Sequence, residues 1–371
     1  MIIGLLKEPD FDNRVSLLPE NIAPLIKKGI QVFVEKNAGA NAFANDDDYT
    51  KIGASVSSAE EIASKADIIL SINHPQTSFI PNLASRVIIG IYQPLFNVSL
   101  IHDWAKRNIT VFSLDMLPRT TRAQSMDVLS SQANISGYKA VLLAADRYSR
   151  YFPMLMTAAG SIPPAKVLIL GAGVAGLQAI ATARRLGAVV EVFDTRPAVK
   201  EEVMSLGGKF IEVEGAADAS KAGGYAVEQP EEFKKKQQEK IAESIAKADV
   251  VITTAQIPGK KAPVLVTKEM IAAMKKGSLI IDLASATGGN TEMTKNNEAV
   301  HFNGITIIGN SLLSSAMPYD ASKMYGKNVL NFLQLIIDKE GKLNLNFGDE
   351  LVKGACMAHN GEITNERLKN L

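Results

Sequence analysis

Short apolar runs alternate with amphipathic segments through residues 1–120. The runs are rich in β-branched residues and bounded by turn formers, as is typical of buried strands. The predicted strands are 2–6, 31–35, 68–72, 86–91 and 110–114. The predicted helices between them are 19–28, 58–65 and 100–107, the first ending at Gly29 and the last before Asn108. This alternation predicts a parallel sheet with helices on both faces.

A long helix and a second alternating series follow. Residues 125–150 contain no proline and one glycine, and their apolar residues recur at steps of three and four, which predicts one continuous helix. The strands predicted after it are 167–170, 189–193, 209–213, 250–255, 279–283 and 306–308. Six strands suit one doubly wound sheet. A helix at 321–338 then precedes a short polar tail.

The predicted fold is of the α/β class, with two doubly wound Rossmann-like domains linked by long helices. A chain of 371 residues has the length of two domains. Because the tail has no sheet of its own, the chain is expected to return to the first domain. The predicted domains are 1–128 with 310–371, and 140–305, with a ligand in the cleft between them.

Charge and composition argue against several classes of function. The chain carries 40 Lys and Arg against 39 Asp and Glu, so its net charge of +1 draws it neither to nucleic acid nor to an anionic membrane surface. The lysines at 234–236 lie among glutamates, as on a solvated helix face. The single cysteine, Cys356, suits a reducing cytosol. We expect no signal peptide, no membrane span and, from the spacing of the four histidines, no metal site.

A glycine fingerprint follows the predicted strand at 167–170 and opens a helix. In Gly171-Ala172-Gly173-Val174-Ala-Gly176, the first glycine permits a tight turn and the second lets backbone N–H groups approach a pyrophosphate. The third lets the helix pack closely on the strand. A glycine-rich turn without a ligand is the alternative, but the position between strand and helix predicts a dinucleotide site.

The next strand ends at Asp194, and Asp194-Thr195-Arg196 are predicted to contact the adenosine ribose. A carboxylate there accepts hydrogen bonds from ribose hydroxyls and repels a 2′-phosphate, which favours NAD(H) over NADP(H). An arginine near this position can instead bind that phosphate, so the presence of Arg196 leaves a preference for NADP(H) open. If Arg196 has a purely structural role, we expect it to form an ion pair with Glu191 or Glu201.

Four polar residues lie just before and within the first turns of the long helix: Arg119, Gln124, Asp127 and Ser130. They are candidates for a site at the cleft. In a purely structural role, Asp127 and Ser130 would start the helix and Arg119 would form an ion pair.

Residues 214–238 are too long for a routine connection. Tyr225 follows two glycines there. The stretch is therefore predicted to be a mobile loop that folds over a bound ligand, with a disordered insertion as the alternative.

Three runs resemble the NAD(H)-binding component of the proton-translocating nicotinamide nucleotide transhydrogenases. They are RTTRAQSMDVLSSQANISGY at 119–138, PPAKVLILGAGVAGLQ at 163–178 and FDTRP at 193–197. Shorter matches extend the resemblance over essentially the whole chain: GGYA at 223–226, IPGK at 257–260, DLA at 282–284, GGN at 288–290 and YGKN at 325–328.

The resemblance implies an enzyme subunit that binds NADH and passes hydride to NADP⁺ held on a partner subunit. A membrane-spanning subunit would couple this transfer to proton translocation. The resemblance also implies a homodimer that is cytoplasmic and peripheral on the cytoplasmic face of the inner membrane. By motif, Arg119, Gln124 and Asp127, with Ser130 nearby, hold the nicotinamide end, and Tyr225 belongs to the loop that closes over the nucleotide.

Alanine dehydrogenase is an alternative, since it shares the fold family and resembles the chain around Arg14. Those enzymes use a lysine and a histidine of the N-terminal lobe. Here the corresponding stretches, 70–75 and 91–95, lack the lysine and have Gln93 near the place of the histidine, with His74 close by. Hydride transfer between two nicotinamides needs orientation of the rings rather than an acid–base pair. A non-catalytic NAD-binding regulator is the second alternative.

Overall fold

The computed structural model describes residues 1–76, 79–213, 215 and 230–371. The chain divides into two compact units, Met1–Gln132 with Ser314–Leu371, and Ala133–Leu313. The strands within the described residues are β1 (Ile2–Leu5), β2 (Gln31–Glu35), β3 (Ser55–Ser57), β4 (Ile68–Leu70), β5 (Val87–Gly90), β6 (Thr110–Ser113), β7 (Leu155–Thr157), β8 (Gly160–Ile162), β9 (Lys166–Leu170), β10 (Val189–Phe193), β11 (Lys209–Phe210), β12 (Val250–Thr253), β13 (Leu279–Asp282), β14 (Ala299–Phe302), β15 (Ile305–Gly309), β16 (Cys356–His359) and β17 (Glu362–Ile363). The α-helices are α1 (Pro19–Lys27), α2 (Asp46–Lys51), α3 (Ala59–Lys65), α4 (Val98–Lys106), α5 (Val128–Arg147), α6 (Val174–Arg185), α7 (Lys200–Ser205), α8 (Glu231–Ile245), α9 (Lys268–Ala272), α10 (Pro318–Ile336), α11 (Glu350–Ala355) and α12 (Glu366–Lys369).

The first unit is built on an eight-stranded sheet in the order β17-β16-β6-β5-β4-β1-β2-β3. Strands β1 to β6 are parallel and follow the doubly wound order 3-2-1-4-5-6. Successive residues face opposite sides: Ile68 and Leu70 pack into one apolar cluster and Ile69 into another. Both faces of the central strands β4 and β5 are therefore covered, which is why these strands are continuous apolar runs.

The C-terminal segment completes this sheet. We expected a short polar tail after residue 338, and that expectation is wrong, because β16 pairs antiparallel with β6 and its residues Cys356, Met357 and Ala358 are fully buried. The strand is short and holds no β-branched residue, so its sequence lacks the usual strand pattern. Helix α10, earlier in this segment, also lies in the first unit, with Tyr325 and Phe332 fully buried.

The main sheet of the second unit repeats the same order over its first five strands. This sheet has seven strands in the order β11-β10-β9-β12-β13-β15-β14, all parallel except β14, which is antiparallel to β15. Six strands were predicted. The seventh, β14, was missed because it is a largely exposed edge strand without a continuous apolar run. Strands β7 and β8 form a separate antiparallel hairpin.

The predicted loop at 214–238 is partly helical. Its last residues, from Glu231 onward, begin α8, where Phe233 is buried. Lys234 pairs with Glu231 and Lys236 with Glu232 along this helix, as expected for a solvated face. Among the described residues, no helix has both the length and the apolarity needed to cross a membrane.

Candidate functional site

The glycine fingerprint lies at the carboxyl end of β9, at the point where the strand order reverses between β9 and β12. Gly171 has φ +106°, a conformation that favours glycine, and a Cβ there would lie 2.5 Å from Thr254 Oγ1. A Cβ on Gly176 would lie 1.9 Å from the Gly171 carbonyl oxygen. These two glycines therefore bring the start of α6 directly against the turn that follows the strand.

Gly173 serves a different purpose. It has ordinary extended backbone angles, φ −77° and ψ −170°, and a Cβ there would meet open space. It precedes the partly exposed Val174, the first residue of α6, and no side chain of the described residues caps this helix. The first N–H groups of a helix lack partners within the helix and attract anions. The open face at Gly173 thus fits the pyrophosphate of a dinucleotide.

Asp194 lies beside this turn and is held on both carboxylate oxygens. Asp194 Oδ2 accepts from the Ala172 N–H at 2.7 Å and from Arg196 Nη2 at 2.7 Å. Asp194 Oδ1 accepts from Arg196 N and Arg196 Nε. The hydrogen-bonded ion pair raises the pKa of Arg196. Our expected partners for Arg196 were wrong: the arginine binds the neighbouring carboxylate, and Glu191 pairs with Lys209.

A depression beside Asp194 is formed by the loops after β10 and β11 and by α8. Its lining residues are Asp194, Thr195, Pro197, Lys200, Phe210, Glu212, Val213 and Phe233. Apolar rings form part of its wall, and Lys200 and Glu212 form an ion pair across 2.6 Å at its rim. Such a wall fits a flat aromatic ring with polar edges.

The loops after β12 and β13 are tied together by Asn290, which is fully buried. Its Nδ2 donates to the carbonyls of Ala255 and Pro263, and its Oδ1 accepts from the Ala255 N–H. Asp282 in turn accepts from the Asn290 N–H. In the sequence, Asp282 and Asn290 stood out only as parts of the DLA and GGN motifs. In the structure they fix the loops at this edge of the sheet.

In the first unit, residues 119–127 form a segment that we call the polar loop. It contains a 3₁₀-helix, Thr121–Met126. Residues three apart eclipse one another in such a helix. Ala123 and Met126 accordingly share the buried face, while Gln124 is exposed and Asp127, three residues on, is half-buried. Arg119 is exposed at the start of the loop.

Asp127 and Ser130 form the start of α5. Asp127 Oδ1 accepts from the Ser130 N–H at 2.9 Å, and Asp127 Oδ2 accepts from Ser130 Oγ at 2.6 Å. This is the arrangement of an N-cap, so the structural role considered for the two residues is confirmed. Both carboxylate oxygens retain lone pairs for further donors.

A buried polar network, which the sequence analysis did not predict, fills the corresponding edge of the first sheet. Glu8, after β1, accepts from the backbone N–H groups of Ile72 and Asn73, after β4. Asp12 binds Arg14 through three side-chain contacts, and Asn73 Nδ2 bridges Glu8 and Asp12. Burial raises the pKa of Glu8 to about 7, whereas the pKa of Asp12 is lowered because Arg14 outweighs the effect of burial. The feature of the sequence that could have predicted this network is an acidic residue, Glu8, shortly after the buried strand β1.

The residues that bear on the dehydrogenase alternative do not join this network. His74 is exposed, and among the described residues its Nδ1 approaches the Pro75 carbonyl alone, at 3.5 Å. Gln93 is also exposed, in a left-handed conformation with φ +47°. Within the described ranges, no cluster of three or more His, Cys, Asp or Glu side chains has the arrangement of a metal site. Tyr225 lies outside the described residues.

Two family descriptions match the chain: "Alanine dehydrogenase/PNT, N-terminal domain" over residues 4–136 and "Alanine dehydrogenase/PNT, C-terminal domain" over residues 140–366. An NAD(P) transhydrogenase alpha-subunit chain of Rhodospirillum rubrum is 45% identical over 96% of both chains. The solved structure of transhydrogenase from Sinorhizobium meliloti is 44% identical, with TM-score 0.89 over 98% of this chain and 100% of that one. The structure of an L-alanine dehydrogenase shares the fold at 22% identity, with TM-score 0.81 over 100% of this chain and 98% of that one.

The two matched regions together account for nearly the whole chain. The doubly wound parallel sheets and the identity to transhydrogenase subunits agree with the motifs found in the sequence. The chain therefore belongs to the alanine dehydrogenase/PNT family, among the NAD(P) transhydrogenase alpha subunits, with the alanine dehydrogenases as more distant relatives.

Proposed function

We propose that this chain binds NADH and presents its dihydronicotinamide to NADP⁺ held on a partner subunit. The open helix start at Gly173, beside a carboxylate held at the end of β10, is the observation that carries the proposal. When bound, NADH supplies the hydride. The task of this chain is then to bind the nucleotide, to orient its ring and to keep water away.

In this proposal the second unit holds the adenosine and pyrophosphate. Gly171, Ala172, Gly173, Val174 and Gly176 form the turn and helix start that face the pyrophosphate. Asp194, with Thr195 and Arg196, receives the ribose hydroxyls, and the depression lined by Phe210 and Phe233 takes the adenine. Because Arg196 binds the Asp194 carboxylate, the arginine is engaged there and not directed at a 2′-phosphate, which supports a preference for NAD(H).

The nicotinamide end is assigned to the first unit. Gln124 offers an exposed carboxamide to the nicotinamide carboxamide, and Asp127 and Ser130 offer oxygen acceptors. Arg119 adds a positive charge at the loop entrance, and Tyr225 is proposed to cover the bound nucleotide. Direct transfer between two nicotinamides exchanges no proton with the protein, so these groups act by orientation.

The remaining proposals concern assembly. The similarity to a named alpha subunit supports a partner that carries NADP(H) and a membrane-spanning subunit that couples transfer to proton movement, so the chain would lie on the cytoplasmic face of the inner membrane. We also propose a homodimer. The β7–β8 hairpin has open edges and exposes Met154 and Met156, which suits an interface between two copies.

The function is tested by reconstituting the purified chain with the NADP-binding subunit of a related transhydrogenase and following reduction of thio-NADP⁺ by NADH. Gln124→Ala and Asp127→Asn are expected to slow hydride transfer about 10-fold with little change in NADH affinity. Asparagine caps helices as well as aspartate does, so Asp127→Asn leaves the start of α5 intact. Transfer at the wild-type rate in both variants would remove these residues from the mechanism.

The two alternatives give different results in the same assay. Rapid NADH oxidation on addition of pyruvate and ammonium, without any partner, would identify an alanine dehydrogenase. NADH binding without transfer to NADP⁺ on any partner would favour the non-catalytic regulator.

A further inference from the structure

The polar loop is held by two carboxamides of α10. Asn328 Nδ2 donates to the Ser125 carbonyl oxygen at 2.8 Å, and Asn331 Nδ2 donates to the same oxygen at 2.9 Å. A carbonyl oxygen has two lone pairs, and here one helix engages both. Ser125 lies between Gln124 and the Asp127 cap, so this contact fixes the backbone at the centre of the loop.

Apolar packing alone does not set the orientation of the loop. Ala123 and Met126 lie in the same apolar cluster as Val329 and Phe332 of α10, which presses the loop against the helix. Such packing is non-directional and tolerates a rotation or a slide of the short 3₁₀-helix. The paired hydrogen bonds to Ser125 are directional and select one position.

The presence of an asparagine at position 328 also supports a role for its hydrogen bond to Ser125. The residue is buried beside Tyr325 and Val329, and its Oδ1 has no hydrogen-bond partner among the described residues. Leaving a buried amide oxygen unpaired costs free energy that an apolar side chain of similar shape avoids. An asparagine at this position is therefore best explained by the hydrogen bond that its Nδ2 donates.

Helix α10 is a firm anchor for such a contact. Tyr325 is fully buried and its hydroxyl donates to the Ser71 carbonyl, while Phe332 packs against Phe112 of the sheet. The loop is thus tied through α10 to the core of its own unit.

We propose that Asn328 and Asn331 are positioning residues for hydride transfer, acting through the Ser125 carbonyl on the direction in which Gln124 and Asp127 present their side chains. The inference rests on the proposed function, in which those two residues orient the nicotinamide. The asparagines themselves need not touch the nucleotide. Their removal should loosen the loop and slow transfer, with binding of NADH nearly unchanged.

The test uses Asn331→Ala, the double variant Asn328→Leu with Asn331→Leu, and Gln334→Ala as a control that removes an exposed carboxamide of the same helix. Amide hydrogen exchange is followed at Ala123 and Asp127, whose N–H groups bond within the loop. The fully buried Trp104 reports by its emission whether the first unit remains folded.

We expect faster exchange across 121–127 in both asparagine variants and a fall in transfer rate of about 10-fold in the double variant, since a 1 Å misplacement costs up to about 10²-fold. Asn331→Ala should lose part of this rate. A fourth variant, Asn331→Gln, should keep most of it, because glutamine retains a donor. The control should match the wild type in exchange and rate.

If hydrogen exchange in the polar loop is unchanged in the double variant while Trp104 emission is intact, Asn328 and Asn331 do not hold the loop. That result would overturn the proposal whatever the activity of the wild type. Faster exchange with an unchanged transfer rate would overturn the positioning role. If the wild type transfers no hydride while amide exchange in the loop still rises in the variants, the proposed function fails. The hold of Asn328 and Asn331 on Ser125 then stands as a structural feature.

Discussion

Gly173 and Gly176 lie three residues apart in one motif, yet the structure places different demands on them. The position of Gly176 has no room for a Cβ, whereas that of Gly173 has open space and backbone angles that alanine adopts readily. The motif predicted these two roles, close packing of helix on strand for Gly176 and approach of a pyrophosphate for Gly173. The structure adds the space around each position, which is closed at Gly176 and open at Gly173.

Exchanging each of these glycines for alanine should separate stability from binding. Gly176→Ala is expected to lower the free energy of unfolding by about 1–3 kcal/mol, because its methyl group overlaps the Gly171 carbonyl. Gly173→Ala should keep the wild-type stability but weaken NADH binding about 10-fold. Urea unfolding and NADH titration measure the two effects. Equal loss of stability in both variants would contradict this division of roles.

Glu8 should make the stability of the first unit depend on pH. Burial raises its pKa to about 7, so the folded chain keeps this proton at pH values where the unfolded chain has lost it. The contribution of Glu8 to stability therefore falls as the pH rises from about 4.5 to about 7, by roughly 3 kcal/mol, and is constant above.

The measurement compares urea unfolding of the wild type and Glu8→Gln, followed by Trp104 emission, across this pH range. The difference between their free energies of unfolding should shift in favour of the variant as the pH rises. Two parallel pH profiles would show that Glu8 does not titrate in this window.

At the scale of elements, prediction from the sequence succeeded where an element is buried on both faces. Strands such as β4, β5 and β12 are apolar runs buried at every position, and their place follows from their own residues. Six strands were missed. Strand β14 is an exposed edge, β16 is recognisable only by its place beside β6, and β3, β7, β8 and β17 are only two or three residues long. The Ser125 contacts of the polar loop join residues 203 and 206 positions apart, beyond the reach of any local pattern.

The unexpected strand β16 should contribute strongly to stability. Met357 is fully buried in the same apolar cluster as Trp104. Met357→Ala is expected to lower the free energy of unfolding by about 2–5 kcal/mol, because it leaves a cavity in a packed core. Trp104 emission during urea unfolding gives the value. A change below about 0.5 kcal/mol, as at surface positions, would mean that the tail is not part of the core.

At the scale of the whole molecule, the structure implies that the two units unfold in separate transitions, which different spectroscopic signals can distinguish. The only tryptophan of the chain, Trp104, lies in the first unit, whereas far-UV circular dichroism records both units. We expect the two signals to give non-coincident urea transitions. NADH at about 100 times its dissociation constant should add about 2.7 kcal/mol to the unit that carries the fingerprint. Coincident transitions with and without NADH would contradict this picture.

The α/β class, most buried strands and the fingerprint at Gly171–Gly176 follow from the amino-acid sequence alone, because they depend on periodicity and backbone conformations set within a few residues. The folded chain was needed to show that Arg196 binds Asp194, that Glu8 and Asn73 meet across the first sheet, and that Asn328 and Asn331 hold Ser125. Each of these contacts depends on the three-dimensional direction of a side chain, and most depend on the return of a distant segment. Neither is encoded in the local spacing of apolar and polar residues.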